Sequence, residues 1–276
     1  MIILSILRLK FILGIYLNKM VIEKKKLFFN TIKIILDDSE ASRAIQSKKY
    51  SYINIFSYDK VDWPGFYVIE KTTALIDLQK EEADIFKNFS DTTRNEIRRT
   101  YKNENLKFLF NESPTDDSYK FYKDFEYLQG RVPVSKEALM GIKCFSAYYG
   151  GNFISAIYVI DQYPYLRIRS IFSKRLEAED KELYKIISNA SRRLVWEICQ
   201  WGRKNNFKSL DMASVNFNNP KTANITKFKM SFGGEVVSEY TYEYKSEMFK
   251  IFEKWVFIKL WIYRLAHFTR GLFKKF

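Results

Sequence analysis

Three arginines, Arg94, Arg98 and Arg99, stand close together in FKNFSDTTRNEIRRTYKN. The segment is patterned as a helix, and residues four apart on a helix share a face, so Arg94 and Arg98 belong to one face. Guanidinium forks so arranged suit a diphosphate or a carboxylate, as on a lipid-linked or nucleotide-linked sugar, although a solvated basic face has the same pattern. Lys227 and Lys229 precede a double glycine in KFKMSFGGEVV and are candidates for contact with an anionic donor. Gly233-Gly234 itself is no phosphate cradle: such loops place glycines before a helix, and these follow one, as a left-handed helix cap feeding a strand does. Arg167 and Arg169 alternate along an expected strand and share one face, with Ser170 on the other.

Histidine and cysteine chemistry is nearly excluded. His267 is the single histidine, and Cys144 and Cys199 are the two cysteines. That is too few for a four-ligand zinc site or for a Cys-His or Ser-His-Asp triad, so neither a metal nor a permanently bound cofactor is expected. Both cysteines lie in apolar contexts, KCFSAYY and WEICQW, and are expected as buried thiols of a reducing compartment.

The groups that could do chemistry sit in a body that is almost neutral. The chain carries +14, yet residues 1–36 and residues 245–276 hold +6 each, which leaves +2 for 37–244. Basic tails on a neutral body favour a membrane surface over a broad nucleic-acid face. Arg8, Lys10 and Lys19 interrupt the opening apolar run, unlike a secretory signal or a conventional span. At about 100° per residue, Arg8, Lys19, Lys26 and Lys33 fall on one stripe, which predicts an in-plane amphipathic helix; a start of translation at Met20 is the alternative. The closing stretch sets Phe249, Phe252, Trp255, Phe257, Trp261, Tyr263 and Phe268 among Lys and Arg, with His267 between them. That composition is one of an interfacial helix or of a helix docked on the domain.

Alternation from Lys49 to Leu78 predicts two or three short strands around a Trp63-Pro64-Gly65 turn. Helix is expected from about Glu81 to Asn103 with a fresh cap at Ser90-Asp91, then a strand at LKFLF and a helix from Ser113-Pro114 to about Leu128. A loop at QGRVPV and a short helix at SKEALMGI precede three strands, KCFSAYY, NFISAIYVID and YLRIRSIFS, the first two joined by the Gly150-Gly151 turn. A long helix from about Asp180 to Lys204, a strand at KSLDMA, a helix at KTANITKFKM and a strand at EVVSEYTYEY complete the body. This order predicts an α+β sheet flanked by helices.

From about Ile69 to Tyr244 the order of elements resembles the GNAT-type acyltransferase fold. The residues look more specifically like its Fem branch, the peptidoglycan-bridge aminoacyltransferases and their single-domain acyltransferase relatives. FKNFSDTTRNEIRRTYKN is similar to the early family helix, SNASRRLVWEICQWGRKNNFKSLDMASV to the long helix and the strand after it, and ITKFKMSFGGEVV to the closing FK…FGG. The resemblance implies a GNAT-like mixed, largely antiparallel sheet with basic amphipathic N- and C-terminal helices added. The implied divisions are an amphipathic segment 1–36, a strand-rich part 37–80 readable as a remnant of a second GNAT-like half, an acyltransferase domain 81–244 and a basic aromatic helix 245–276.

What the resemblance implies about function is acyl or aminoacyl transfer to an amine of a glycan or peptidoglycan precursor, on the cytoplasmic side and peripheral to the inner face of the membrane. Fem-like relatives place the reacting carbonyl where neighbouring strands splay, here between YLRIRSIFS and KSLDMA. Asp211 then stands at the rim to orient or deprotonate the acceptor amine, with capping of the next turn as its structural alternative. Ser214 and Asn216 follow it on the same rim, Ser170 lies on the facing strand, and Gln129 and Arg131 fall where relatives contact substrate. The acyl donor is open between acyl-CoA and aminoacyl-tRNA. The Q/R-x-x-G-x-G/A loop that holds CoA pyrophosphate is replaced by SIFSKRLEAEDKEL, which has no glycine. Two other readings stay open: a CoA-dependent N-acetyltransferase of a soluble amino sugar, and a membrane-attached binding module without catalysis.

Overall fold

The computed structural model describes residues 21–256, and the expectations for 1–20 and 257–276, among them Arg8, Lys19 and His267, lie outside the described residues. Elements run β1 (Val21–Lys26), β2 (Phe29–Ile35), α1 (Asp38–Ser47), β3 (Tyr52–Ser57), β4 (Tyr67–Asp77), α2 (Glu82–Asn88), α3 (Asp91–Thr100), β5 (Leu106–Asn111) and α4 (Asp116–Leu128). Then come β6 (Lys143–Tyr149), β7 (Asn152–Gln162), β8 (Tyr165–Ser173), α5 (Lys181–Lys204), β9 (Ser209–Val215), α6 (Ala223–Met230) and β10 (Glu235–Lys245), with 247–256 helical again. The described residues form two compact units, Lys71–Ser238 and residues 21–70 with 239–256.

In the flanking unit β1 and β2 make an antiparallel hairpin, β2 runs parallel to β3 across the α1 connection, and β3 pairs antiparallel with 240–245 of β10. Ile32, Ile34, Ile53, Ile55, Tyr240 and Tyr242 alternate inward and close a core with Ala41 and Ala44 of α1. The buried Tyr242 hydroxyl accepts from the Val61 N–H (2.6 Å) and donates to the Asp59 carbonyl (3.1 Å), so burial of its ring leaves no polar atom unpaired. Residues 21–35 therefore correct the expected amphipathic helix. The seven-residue spacing of Lys26 and Lys33 fits a helix stripe, but the buried Ile32 and Ile34 alternate, and β2 is hydrogen-bonded on both edges. Helix 247–256 buries Phe249 and half-buries Phe252 against Phe29, at ring distances of 5.4 and 5.0 Å.

In Lys71–Ser238 the strands lie in the order β4-β9-β8-β7-β6-β5, with β8 and β9 parallel and the other neighbours antiparallel. Residues 67–77, expected as part of several short strands, form one long strand, β4. The turn at Gly150-Gly151 has both residues at positive φ, as that hairpin requires. Helix α5 starts at Asp180, whose side chain accepts from the Leu183 N–H at 2.7 Å, and buries Ile187, Ala190, Leu194, Val195, Ile198 and Cys199 at helical spacing. Phe86 and Phe89 of the α2 region pack on Trp196 of α5 at 4.9 and 5.6 Å. Ser90 caps α3 and its N–H donates to the Ser231 carbonyl at 2.9 Å, which fixes the end of α6 to the α2–α3 junction. Cys144 and Cys199 are fully buried, and burial pushes both thiols up from the ordinary cysteine range.

Candidate functional site

The parallel pairing of β8 with β9 covers Tyr165 with Ser209, Leu166 with Leu210 and Arg167 with Asp211, and stops there. β8 runs on to Ser173 and β9 to Val215, so beyond this pair the strands part in a wedge. Each strand stays bonded on its other edge, β8 to β7 and β9 to β4, and each is distorted where the wedge opens. β8 carries an extra residue at Arg169 opposite Tyr158-Val159, and β9 shifts register between Asp211 and Ser214. Bulges of this kind bend a strand out of its ladder. Main-chain groups along the opened edges then face a gap in which a ligand can take their hydrogen bonds.

Ala213 lies inside the β9 shift with φ at 59°, a conformation that costs any residue with a Cβ. Ala213→Gly is therefore expected to raise stability by up to about 1 kcal/mol in a denaturant titration, since glycine removes the strain and gives back part of it in unfolded-state entropy.

Asp211 is completely buried at the apex of the wedge. Its Oδ2 is ion-paired with the Arg167 Nη1, and its Oδ1 accepts from the Thr73 hydroxyl and from the Ala213 N–H, the latter at 2.7 Å. The structure engages both Asp211 oxygens within the protein, as its structural alternative expected. A carboxylate shut off from solvent and so engaged caps the turn at Ala213 and fixes Arg167. The partly exposed member of the pair is the guanidinium, its side chain 20% accessible. Sequence reading placed Arg167 on a strand face and missed its partner. Only the register of two strands 44 residues apart reveals it.

The other candidates divide into those near the apex and those elsewhere. Ser214 and Asn216 are exposed at the end of β9, and α6 closes on them: Lys229 Nζ donates to the Ser214 carbonyl at 2.8 Å, and Thr226 bonds the Asn216 backbone at 3.0 and 3.1 Å. Lys227 is exposed on the same helix, and Ser170 is half-buried on β8 beside the wedge. Arg94 corrects its expectation. Its guanidinium bonds the Lys87 and Phe89 carbonyls, the latter at 2.9 Å, and pairs with Asp91, so it closes the end of α2 and belongs to the fold. Arg98 and Arg99 are exposed, Arg98 over the Phe86 ring at 5.5 Å. Gln129 ends α4, and Arg131 pairs with Glu126 at 2.7 Å and lies over Phe125. Missed by sequence reading was Arg192 of α5, which pairs with Glu96 of α3 at 2.7 Å and lies over Phe228 of α6, with burial drawing its pKa down.

The junction between β8 and α5 bears on the donor. A CoA pyrophosphate would sit on the first turn of α5, where free N–H groups and the helix dipole attract anions. Here Asp180 already takes the Leu183 N–H, and Glu182 adds a second carboxylate to that turn. Asp180 thus takes up a capping N–H that a phosphate would use, while Lys181 and the preceding Lys174 and Arg175 balance the acids in charge.

No family model matches this chain, and no curated protein matches it in sequence. Among solved structures, FemX is similar with a TM-score of 0.58 at 10% identity, over 83% of this chain and 84% of that one. The C-terminal domain (DUF2156) of a protein described as a lysylphosphatidylglycerol synthetase, from Agrobacterium fabrum, is similar with a TM-score of 0.51 at 12% identity, over 82% of this chain and 81% of that one. These likenesses show a Fem-like fold, as the resemblance in element order and in the quoted segments implied.

Proposed function

We propose that this chain transfers an acyl or aminoacyl group to an amine of a cell-envelope precursor, a glycan or peptidoglycan unit, at the inner face of the cell membrane. The observation that carries the reading is the β8–β9 wedge with the Arg167–Asp211 pair at its apex. In aminolysis the amine nitrogen bonds to the donor carbonyl carbon, negative charge gathers on the carbonyl oxygen, and the donor's ester or thioester bond then breaks, its oxygen or sulfur leaving with the proton the amine gives up. Main-chain N–H groups along the opened edge are fixed donors for that oxygen, and Arg167 adds a positive charge held by Asp211. Ser214 and Asn216 at the rim supply contacts for acceptor hydroxyls, while Arg98, Gln129 and Arg131 await a substrate long enough to reach them. Lys227 and Lys229 serve the donor.

The glycine-free junction before α5, with its capping N–H already taken by Asp180, supports aminoacyl-tRNA over acyl-CoA, and one structural neighbour is by its description a synthetase of an aminoacylated lipid. The +6 on each tail supports work at an anionic surface. No helix among the described residues is long and apolar enough to cross a membrane. Mass spectrometry of lipid-linked envelope precursors, from cells with and without the gene, tests the reading. Acyl- or aminoacyl-bearing species should disappear with the gene. Identical precursor pools would leave a non-catalytic module as the better account, and calorimetric binding of acetyl-CoA would restore the soluble acetyltransferase.

A further inference from the structure

The tip of the β1–β2 hairpin is built against the rules for such a turn. Two-residue hairpin turns take asparagine and glycine because they need positive φ. This one holds Leu27 and Phe28, with Leu27 at a φ of 53°. The side chains gain no burial in return, since Leu27 is 65% exposed and Phe28 is 89% exposed. Large apolar residues kept at a strained, solvent-facing turn mark a surface with a partner.

The same end of the unit carries a second apolar stripe. The Ser51 N–H donates to the Asn30 carbonyl and the Ser246 N–H to the Ser51 carbonyl, both at 2.9 Å, which brings the start of helix 247–256 beside the hairpin tip. Phe249 and Phe252 face inward onto Phe29, and Met248, Ile251 and Trp255, spaced three and four apart, are exposed on the outer side. Lys250, ion-paired with Glu247 at 2.6 Å, and Lys254 lie on the same helix, Glu253 is paired with Lys245 at 2.7 Å, and Lys24 and Lys25 are exposed on the hairpin. The hairpin sequence 21–35 holds four lysines against one acid, and the chain beyond both ends of the described residues holds eight Lys/Arg and no acid.

We infer that Leu27 and Phe28, with Met248, Ile251 and Trp255, form a wedge that enters the headgroup layer of an anionic bilayer, the surrounding lysines meeting lipid phosphates. Aromatic and aliphatic side chains ringed by long basic ones partition in this way, the rings at the acyl boundary and the ammonium groups snorkelling to the phosphates. The inference rests on the membrane-surface part of the proposed function and is independent of the reaction.

The test uses the full chain and vesicles of phosphatidylglycerol with phosphatidylcholine, against vesicles of phosphatidylcholine alone. Leu27→Gly/Phe28→Asn puts glycine at the one turn position with positive φ, so the variant should melt no lower than the wild type. It should bind the anionic vesicles about tenfold or more weakly. Ile251→Glu should weaken binding likewise, and wild-type binding should fall with added salt. Wild type that ignores the anionic vesicles, or turn variants that bind as wild type does, would overturn the inference. So would a lipid-free change of oligomeric state in the variants, which would assign the patch to a second copy. Loss of vesicle binding with precursor modification intact would separate this surface from the reaction, and wild type that binds the anionic vesicles while precursor pools are identical with and without the gene would sink the transfer reading alone.

Discussion

Replacing Arg167 with methionine should destabilise the protein by about 3–5 kcal/mol, the usual consequence of leaving a buried charge without its partner. Asp211 is wholly enclosed, so its carboxylate cannot turn to water once the guanidinium is gone. Asp211→Asn should cost less, because Arg167 is 20% exposed and can swing outward, while the asparagine oxygen still accepts from Thr73 and Ala213. A urea titration of both single variants and the double variant measures the coupling as well. Costs below about 1 kcal/mol for both singles would mean that the pair is not what fixes the apex.

Gly233→Ala is expected to be nearly as damaging, for a steric reason. Gly233 has a φ of 65°, and a Cβ there would lie 2.8 Å from the Asn88 carbonyl carbon and 3.1 Å from the Asn88 Cβ. The obstacle is backbone, so no rotamer relieves it. Left-handed strain of about 1–2 kcal/mol adds to overpacking of about 1–3 kcal/mol. A loss of about 3 kcal/mol should lower the melting temperature by roughly 6–12 °C in a unit of this size. Gly234 supplies the control: its φ is not positive, and its nearest contact would be the Leu75 carbonyl oxygen at 3.2 Å, so Gly234→Ala should shift the melt far less. A Gly233→Ala protein that melts with the wild type would contradict the packing of α6 on the α2–α3 junction.

The element order of the body was legible because its signals are local. Ser90 and Asp180 announce helix starts, Gly150-Gly151 a hairpin, and Gly233-Gly234 a helix end, and each keeps that part in the structure. The hairpin of 21–35 was hidden because lysine spacing fits a helix as well as a strand, and the deciding isoleucines are buried by elements far along the chain. At the site, sequence located the strand ends that part but not the partner of Asp211. Its burial and its bond to Arg167 arise from register between β8 and β9, which no local pattern encodes. Arg94 misled for a related reason: helical spacing shows which residues share a face, yet not that the carbonyls of α2 lie within reach.

The central claim is that aminolysis takes place in the wedge beside Arg167. Arg167→Lys keeps the counter-charge for Asp211 and so keeps the fold, but gives up the planar fork and its reach. In cells producing this variant at wild-type abundance, the acyl- or aminoacyl-bearing precursors should fall about a hundredfold, as when a fixed donor to a developing oxyanion is removed. A precursor pool indistinguishable from that of wild-type cells would contradict the account.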